Sequence, residues 1–178
     1  MKIKVCGIKY HDNATDVGVL KPDYMGFIFY GKSPRYVLEG DVESKIQDIP
    51  SGIKKSGVFV NEQAETVIKT IRQFELDAVQ LHGNESVEVC KIFKNHDVEV
   101  FKAFGVDDQF DFSFVAPYAG SVDYFLFDTK VSGKMGGTGQ KFNWAVFDNY
   151  ALEVPFMLSG GIGPGDAASI KQMDHPML

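Results

Sequence analysis

Short runs of large apolar residues alternate with polar segments of helical spacing along the whole chain. The apolar runs read as strands at about 2–6, 24–29, 54–60, 78–81, 98–104, 122–127 and 154–158, each a few residues long and rich in Val, Ile, Phe and Tyr. Between them Ala64, Val67, Ile68 and Ile71 recur at i, i+3, i+4 and i+7, and Val87, Cys90 and Phe93 at i, i+3 and i+6. Both series predict helices with one buried stripe. Asn61 with Gln63, and Asn84-Glu85-Ser86, stand where those helices begin and can bond their first free N–H groups. A further short helix is expected at about 165–171.

Strand starts fall 20 to 32 residues apart, the length of one strand-plus-helix unit, and no linker or change of composition divides them. Seven such units in one domain, residues 1–178, favour an α/β fold of the (β/α)8 TIM-barrel type over a doubly wound sheet of five or six strands. The position of the glycines agrees. A dinucleotide fold carries its glycine fingerprint after the first strand, whereas here the glycine-rich stretches follow the sixth and seventh, where barrels hold phosphate. Neither Gly133 to Gln140 nor Gly161-Ile162-Gly163-Pro164-Gly165 meets a nucleotide-binding pattern. After Ser159 only 19 residues remain, room for a loop and a short helix but not for an eighth strand and helix. The barrel is therefore expected to be incomplete at its C-terminal end, with two unpaired sheet edges.

A net charge of -6 and a pI near 5.2 give no basic footprint for nucleic acid or an anionic membrane. Lysines at 2, 4 and 9 interrupt the apolar residues of the N-terminus, so no signal-peptide core is present, and no apolar run reaches the length of a membrane span. A cytoplasmic protein is expected. Cys6 and Cys90 lie 84 positions apart and the histidines at 11, 82, 96 and 175 are scattered, so no metal-ligand spacing is met.

Candidate chemistry lies at strand ends. Tyr124-Phe125-Leu126-Phe127 reads as a strand buried on both faces, and Asp128 closes it with a charge that such a strand normally lacks. An Asp there could simply open a turn. In parallel α/β folds, however, the carboxyl ends of strands are where ligands sit. Cys6 closes the first strand in the same way; its alternative reading is a small buried hydrophobe. Arg35, in the loop after the second strand, could be a solvated charge, but preceded by Pro34 at the rim of a site it makes a fork for a carboxylate.

Lys4-Val5-Cys6-Gly7-Ile8, Gly26-Phe27-Ile28-Phe29-Tyr30 with Ser33-Pro34-Arg35-Tyr36, Gly57-Val58-Phe59-Val60-Asn61, Gln80-Leu81-His82-Gly83, Phe127-Asp128, Gly136-Gly137-Thr138-Gly139 and Leu158-Ser159-Gly160-Gly161-Ile162 together resemble the phosphoribosylanthranilate isomerases of tryptophan biosynthesis, in the family's order and spacing. The resemblance implies a (β/α)8 barrel that uses no cofactor and performs an Amadori rearrangement of a small phosphorylated substrate. It implies catalytic roles for Cys6 and Asp128, a carboxylate-binding role for Arg35 and phosphate binding by the backbone of Gly160 and Gly161, with the helix that follows lending its N-terminus. Family members complete the phosphate site after an eighth strand, a segment not among these 178 residues.

The chemistry suits those residue types. Opening the furanose requires an acid, and an Asp serves near neutral pH only if burial or a nearby anion keeps it protonated. Removing the C2' proton requires a base, and a thiol serves only once deprotonated. His82 could line the site, Lys130 and Thr138 lie in a loop able to cover it, and Gln140, Asn143 and Trp144 read as anchors of that loop. Two other readings are a ring-closing indole-glycerol-phosphate synthase, which would need lysine and glutamate at the strand ends, and a ligand-binding remnant. A monomer and a homodimer are both feasible.

Overall fold

The computed structural model describes residues 1–42, 46, 48–130, 143–173, 175 and 177–178. Among them are seven strands, β1 (Lys4–Cys6), β2 (Tyr24–Ile28), β3 (Lys54–Phe59), β4 (Ala78–Leu81), β5 (Glu99–Val106), β6 (Tyr124–Thr129) and β7 (Phe156–Leu158), each overlapping a predicted run. All neighbours pair in parallel and in sequence order, giving one sheet β1-β2-β3-β4-β5-β6-β7. Sequential parallel pairing through helical crossovers is the topology of a barrel, since a doubly wound sheet reverses its strand order at the middle.

The sheet curls. Five strand spacings would hold β1 and β6 about 24 Å apart on a flat sheet. Yet Lys2 Nζ, just before β1, donates to the Tyr124 hydroxyl of β6 at 2.5 Å, and Tyr24 of β2 donates to Glu99 of β5 at 2.7 Å. Alternation along the strands then sorts the apolar residues into two cores. Tyr24, Ala78, Phe101, Ala103, Leu126 and Met157 fill the inside of the curved sheet. Phe27, Val79, Val100, Phe125, Phe127 and Phe156 point outward into the larger core under the helices. At the β7 edge the Phe156 N–H donates to Met177 O at 2.7 Å, so the last residues of the chain lie along that edge.

The α-helices among the described residues are α1 (His11–Val19), α2 (Ala64–Phe74) and α3 (Val87–Lys94) between strands and α4 (Ala167–Gln172) after β7. In α2 the stripe turns Val67 and Phe74 into the core, and the helix stops at Glu75, which takes a left-handed conformation (φ 51°). Ser86 caps α3 as expected, accepting from Val89 N, and Lys91 and Lys94 stand in its last turn, where the helix dipole favours cations. Asn61 does not cap α2. Gln63 holds that position with no side-chain bond, and Asn61 is instead left-handed (φ 51°) with Oδ1 accepting from Asn84 N at 2.6 Å.

After β5 the chain makes 3-10 turns, Phe112–Phe114 and Ala116–Ser121, rather than an α-helix. Asp111 caps the first by accepting from Ser113 N, and Pro117, lacking an N–H, sits in the opening turn of the second. Trp144–Asn149 is a 3-10 turn as well, capped by Asn143. The helix expected at about 165–171 forms as a 3-10 turn, Pro164–Asp166, running into the six-residue α4.

Candidate active site

By strand alternation Lys4 and Cys6 of β1, Gln80 of β4 with His82 just beyond it, and Asp128 of β6 share the inward parity of Leu126 and Ala78. Cys6, Gln80, His82 and Asp128 stand at or near the carboxyl ends of their strands, and Lys4 opens β1 two residues before Cys6 on the same face. The curl brings them together. Lys4 Nζ donates to Gln80 Oε1 at 2.7 Å, Gln80 Nε2 lies 3.1 Å from His82 Nδ1, and His82 Nε2 lies 3.7 Å from Asp128 Oδ2. A continuous polar chain thus crosses the barrel from β1 to β6.

Asp128 is buried, 5% exposed, and its Oδ1 accepts from Thr129 N at 2.9 Å, which leaves Oδ2 to face His82. Burial holds the His82 imidazole below its usual pKa. An ionised Asp128 would oppose that shift, while Lys102 and Lys4 push it further down. Burial is the largest of these effects, so the neutral imidazole is favoured.

Cys6 is half-buried at the end of β1. A β-carbon on Gly26 would fall 2.6 Å from Cys6 Sγ and 3.0 Å from Lys4 Nζ, so both side chains use the space that this glycine leaves open. Gly7 follows with φ +91°, and the Arg35 side chain lies directly over it: a β-carbon there would meet Cδ at 2.7 Å and Nη1 at 2.9 Å. Close packing of Arg35 on the residue after Cys6 requires glycine at position 7 twice over, for the backbone and for the space. The Arg35 loop is held by Ser33 Oγ, which accepts from Arg35 N at 3.2 Å, and by Lys9 Nζ, which donates to Pro34 O at 3.2 Å. Arg35 itself is exposed.

Gly160 and Gly161 follow β7 with φ of +88° and +66°. A β-carbon on Gly160 would lie 2.3 Å from Thr129 Oγ1 and 2.7 Å from Asp128 Oδ1, which packs the turn after β7 against the end of β6. No N–H bond from either glycine to another described residue is formed. The start of the following turn is already capped: Asp166 accepts from Gly163 N at 2.7 Å. Gly136, Gly137, Thr138 and Gln140 lie outside the described residues. Lys130 turns outward to Asp107 Oδ2 at 3.1 Å, and Asn143 N donates to Asp108 Oδ1 at 2.8 Å, as expected of a loop anchor.

One buried group escaped the sequence reading. Lys102, 1% exposed in β5, donates to the carbonyls of Leu81, Gly83 and Ala103 and lies 3.2 Å from Glu85 Oε2. Glu85 in turn accepts from Asn61 N and Gly83 N, so this carboxylate clamps the loops after β3 and β4, including the residue after His82. Burial pushes the Lys102 ammonium down, opposed by Glu85, and raises the nearby Cys90 thiol to about 11. A charged residue inside Val100-Phe101-Lys102-Ala103-Phe104 was the available signal, as were Lys4 and Gln80 within their own apolar strands.

A curved parallel sheet with ionisable side chains gathered at its carboxyl ends defines a (β/α)8-barrel enzyme. The chain belongs to the N-(5'-phosphoribosyl)anthranilate isomerase family: residues 3–177 match the family described as N-(5'phosphoribosyl)anthranilate (PRA) isomerase. It is 41% identical over 177 residues to the N-(5'-phosphoribosyl)anthranilate isomerase of Parabacteroides distasonis, covering 99% of this chain and 80% of that one. Among solved structures it is similar to the phosphoribosyl anthranilate isomerase of Thermotoga maritima, with a TM-score of 0.84 at 31% identity, over 97% of this chain and 82% of that one. It is also similar to a phosphoribosyl anthranilate isomerase in complex with reduced 1-(o-carboxyphenylamino)-1-deoxyribulose 5-phosphate, with a TM-score of 0.79 at 29% identity, over 99% and 84% of the two chains.

Proposed function

We propose that this protein is the isomerase of tryptophan biosynthesis that converts N-(5'-phosphoribosyl)anthranilate into 1-(2-carboxyphenylamino)-1-deoxyribulose 5-phosphate, with Asp128 as the acid and Cys6 as the base. The observation that carries the role assignment is the position of Cys6 and Asp128 at the ends of β1 and β6 of one curled sheet, on the face where Lys4, two residues before Cys6, is linked through Gln80 and His82 to Asp128. Asp128 Oδ2 gives its proton to the furanose ring oxygen as the anilino nitrogen forms a C=N bond to C1' and the C1'–O bond breaks. The Cys6 thiolate then takes the C2' proton, giving the enolamine, which tautomerises to the ketone. C2' is oxidised as C1' is reduced, so the reaction is redox-neutral within the substrate.

Arg35, over Gly7 and next to Cys6, offers its guanidinium fork to the anthranilate carboxylate. The N–H groups of Gly160 and Gly161, which bond no other described residue, serve the phosphate, and the packing of Gly160 on Asp128 and Thr129 ties that site to the acid. No described helix is long and apolar enough to cross a membrane, and a cytoplasmic enzyme, monomer or homodimer, fits this role.

The test is consumption of N-(5'-phosphoribosyl)anthranilate followed by fluorescence with purified protein. Turnover by wild type, lost in Cys6→Ser and in Asp128→Asn while circular dichroism is unchanged, is the expected result. A wild-type protein that folds but does not consume this substrate overturns the function. Full activity in either folded variant removes that residue from the mechanism.

A further inference from the structure

Lys4 and Gln80 have no part in the acid–base scheme, yet they are inside the barrel, and Gln80 is only 3% exposed. Their bonding order is fixed by what each group can do. An ammonium has donors only, so the Gln80 atom that Lys4 Nζ meets at 2.7 Å is the amide oxygen. The amide NH2 must then face His82, and Nδ1 at 3.1 Å must accept from it. A neutral imidazole whose Nδ1 accepts carries its proton on Nε2. That nitrogen is the one turned to Asp128 Oδ2.

From this chain we infer that Lys4 and Gln80 are positioning residues that lock His82 in its Nε2–H tautomer and so reserve the Asp128 proton for the substrate. The inference rests on the reading of Asp128 as the acid. With the proton on Nδ1 instead, the bare Nε2 would face the protonated carboxyl and take its proton, leaving an imidazolium–carboxylate pair with no acid to open the ring. With the proton on Nε2, His82 offers Asp128 nothing to protonate. Once Asp128 has given its proton to the furanose oxygen, the same N–H becomes a donor to the new carboxylate. The separation of 3.7 Å closes to hydrogen-bond length at that stage, as catalytic contacts commonly tighten from the free enzyme to the transition state. Lys102 and Lys4 work in the same direction, since nearby cations disfavour the imidazolium.

The experiment is nitrogen-15 NMR of the imidazole rings in the full chain, with the His82 signals assigned by their loss in His82→Gln, alongside steady-state kinetics. Wild type is expected to show a protonated Nε2 and a bare Nδ1 at pH 7. Gln80→Glu keeps the size and the bond to Lys4 but presents a carboxylate oxygen to Nδ1. It is expected to move the proton to Nδ1 or protonate the ring, and to lower kcat by at least about tenfold with KM little changed. Gln80→Met, which neither donates nor accepts strongly, should give a mixture of tautomers and an intermediate kcat. A wild-type ring protonated on Nδ1 overturns the inference, as does a Gln80→Glu protein whose ring proton has moved while kcat has not. Failure of the acid assignment reads out separately, as turnover retained in Asp128→Asn.

Discussion

The Cys6 sulfur and Gly26 are fitted to one another across the first strand pair. Cys6 is the register partner of Gly26, and a β-carbon on Gly26 would come within 2.6 Å of Sγ and 3.1 Å of the Cys6 Cα. Only the sulfur could swing away, because the Cα belongs to the paired backbone. Gly26→Ala is therefore expected to displace the thiol, lowering kcat at least about tenfold and costing about 1–3 kcal/mol of stability from overpacking. Kinetics and urea unfolding check both. Wild-type turnover in Gly26→Ala would show that the thiol position does not matter.

Asp128 and Arg35 should separate in their kinetic effects. Asp128→Asn keeps size and polarity but removes the transferable proton, so kcat is expected to fall by about 10²-fold or more with KM nearly unchanged. Arg35→Ala removes a charged fork from an exposed loop and is expected to raise KM strongly with a smaller change in kcat. Measured saturation curves that exchange the two effects contradict the assignments.

Glu85→Gln leaves the Lys102 ammonium buried without its carboxylate and halves the acceptors for the Asn61 and Gly83 N–H groups. Removing one partner of a buried pair costs about 3–5 kcal/mol. Adding Lys102→Met to Glu85→Gln should restore part of that loss, because the uncompensated charge goes with it. The shift of the urea midpoint in the single and double variants tests this, and an unchanged midpoint in Glu85→Gln contradicts it.

His82 predicts how stability depends on pH. Its folded pKa lies below the ordinary value of 6.5, so between the two values the unfolded chain binds the proton and the native state does not. Stability therefore falls as pH drops below 6.5 and stops falling, for this group, below the lowered folded pKa. One such proton contributes at most about 1.4 kcal/mol per pH unit. His82→Gln should flatten the decline that sets in as pH falls below 6.5, measured by denaturant unfolding from neutral pH downward. A decline as steep as in wild type would mean that His82 titrates normally in the folded protein.

All seven strands were legible along the chain because strand and turn signals are written in neighbouring residues: apolar runs of a few residues, bounded by Gly, Asn and Asp. Asp128 and Cys6 stood out for the same local reason, a reactive group at the end of an apolar run. The helical stripe of α2 and the Ser86 cap were equally local. The 3-10 turns after β5 were not legible, since short turns leave no periodicity to read.

What the sequence determined by itself was therefore the list of parallel units, their order and the two strand ends that carry Cys6 and Asp128. Tertiary structure decided which polar residues meet. Lys4 and Gln80 are 76 positions apart and His82 and Asp128 are 46 apart, and their contacts exist only because curvature accumulated over successive strand pairs turns one face of the sheet upon itself. Pairing of neighbouring units in turn brings Lys102 to Glu85, packs Gly160 onto Asp128 and lays Arg35 over Gly7. Strand alternation assigns a face to each residue, but the partner on that face is set by the sum of many small twists, which no short stretch of sequence contains.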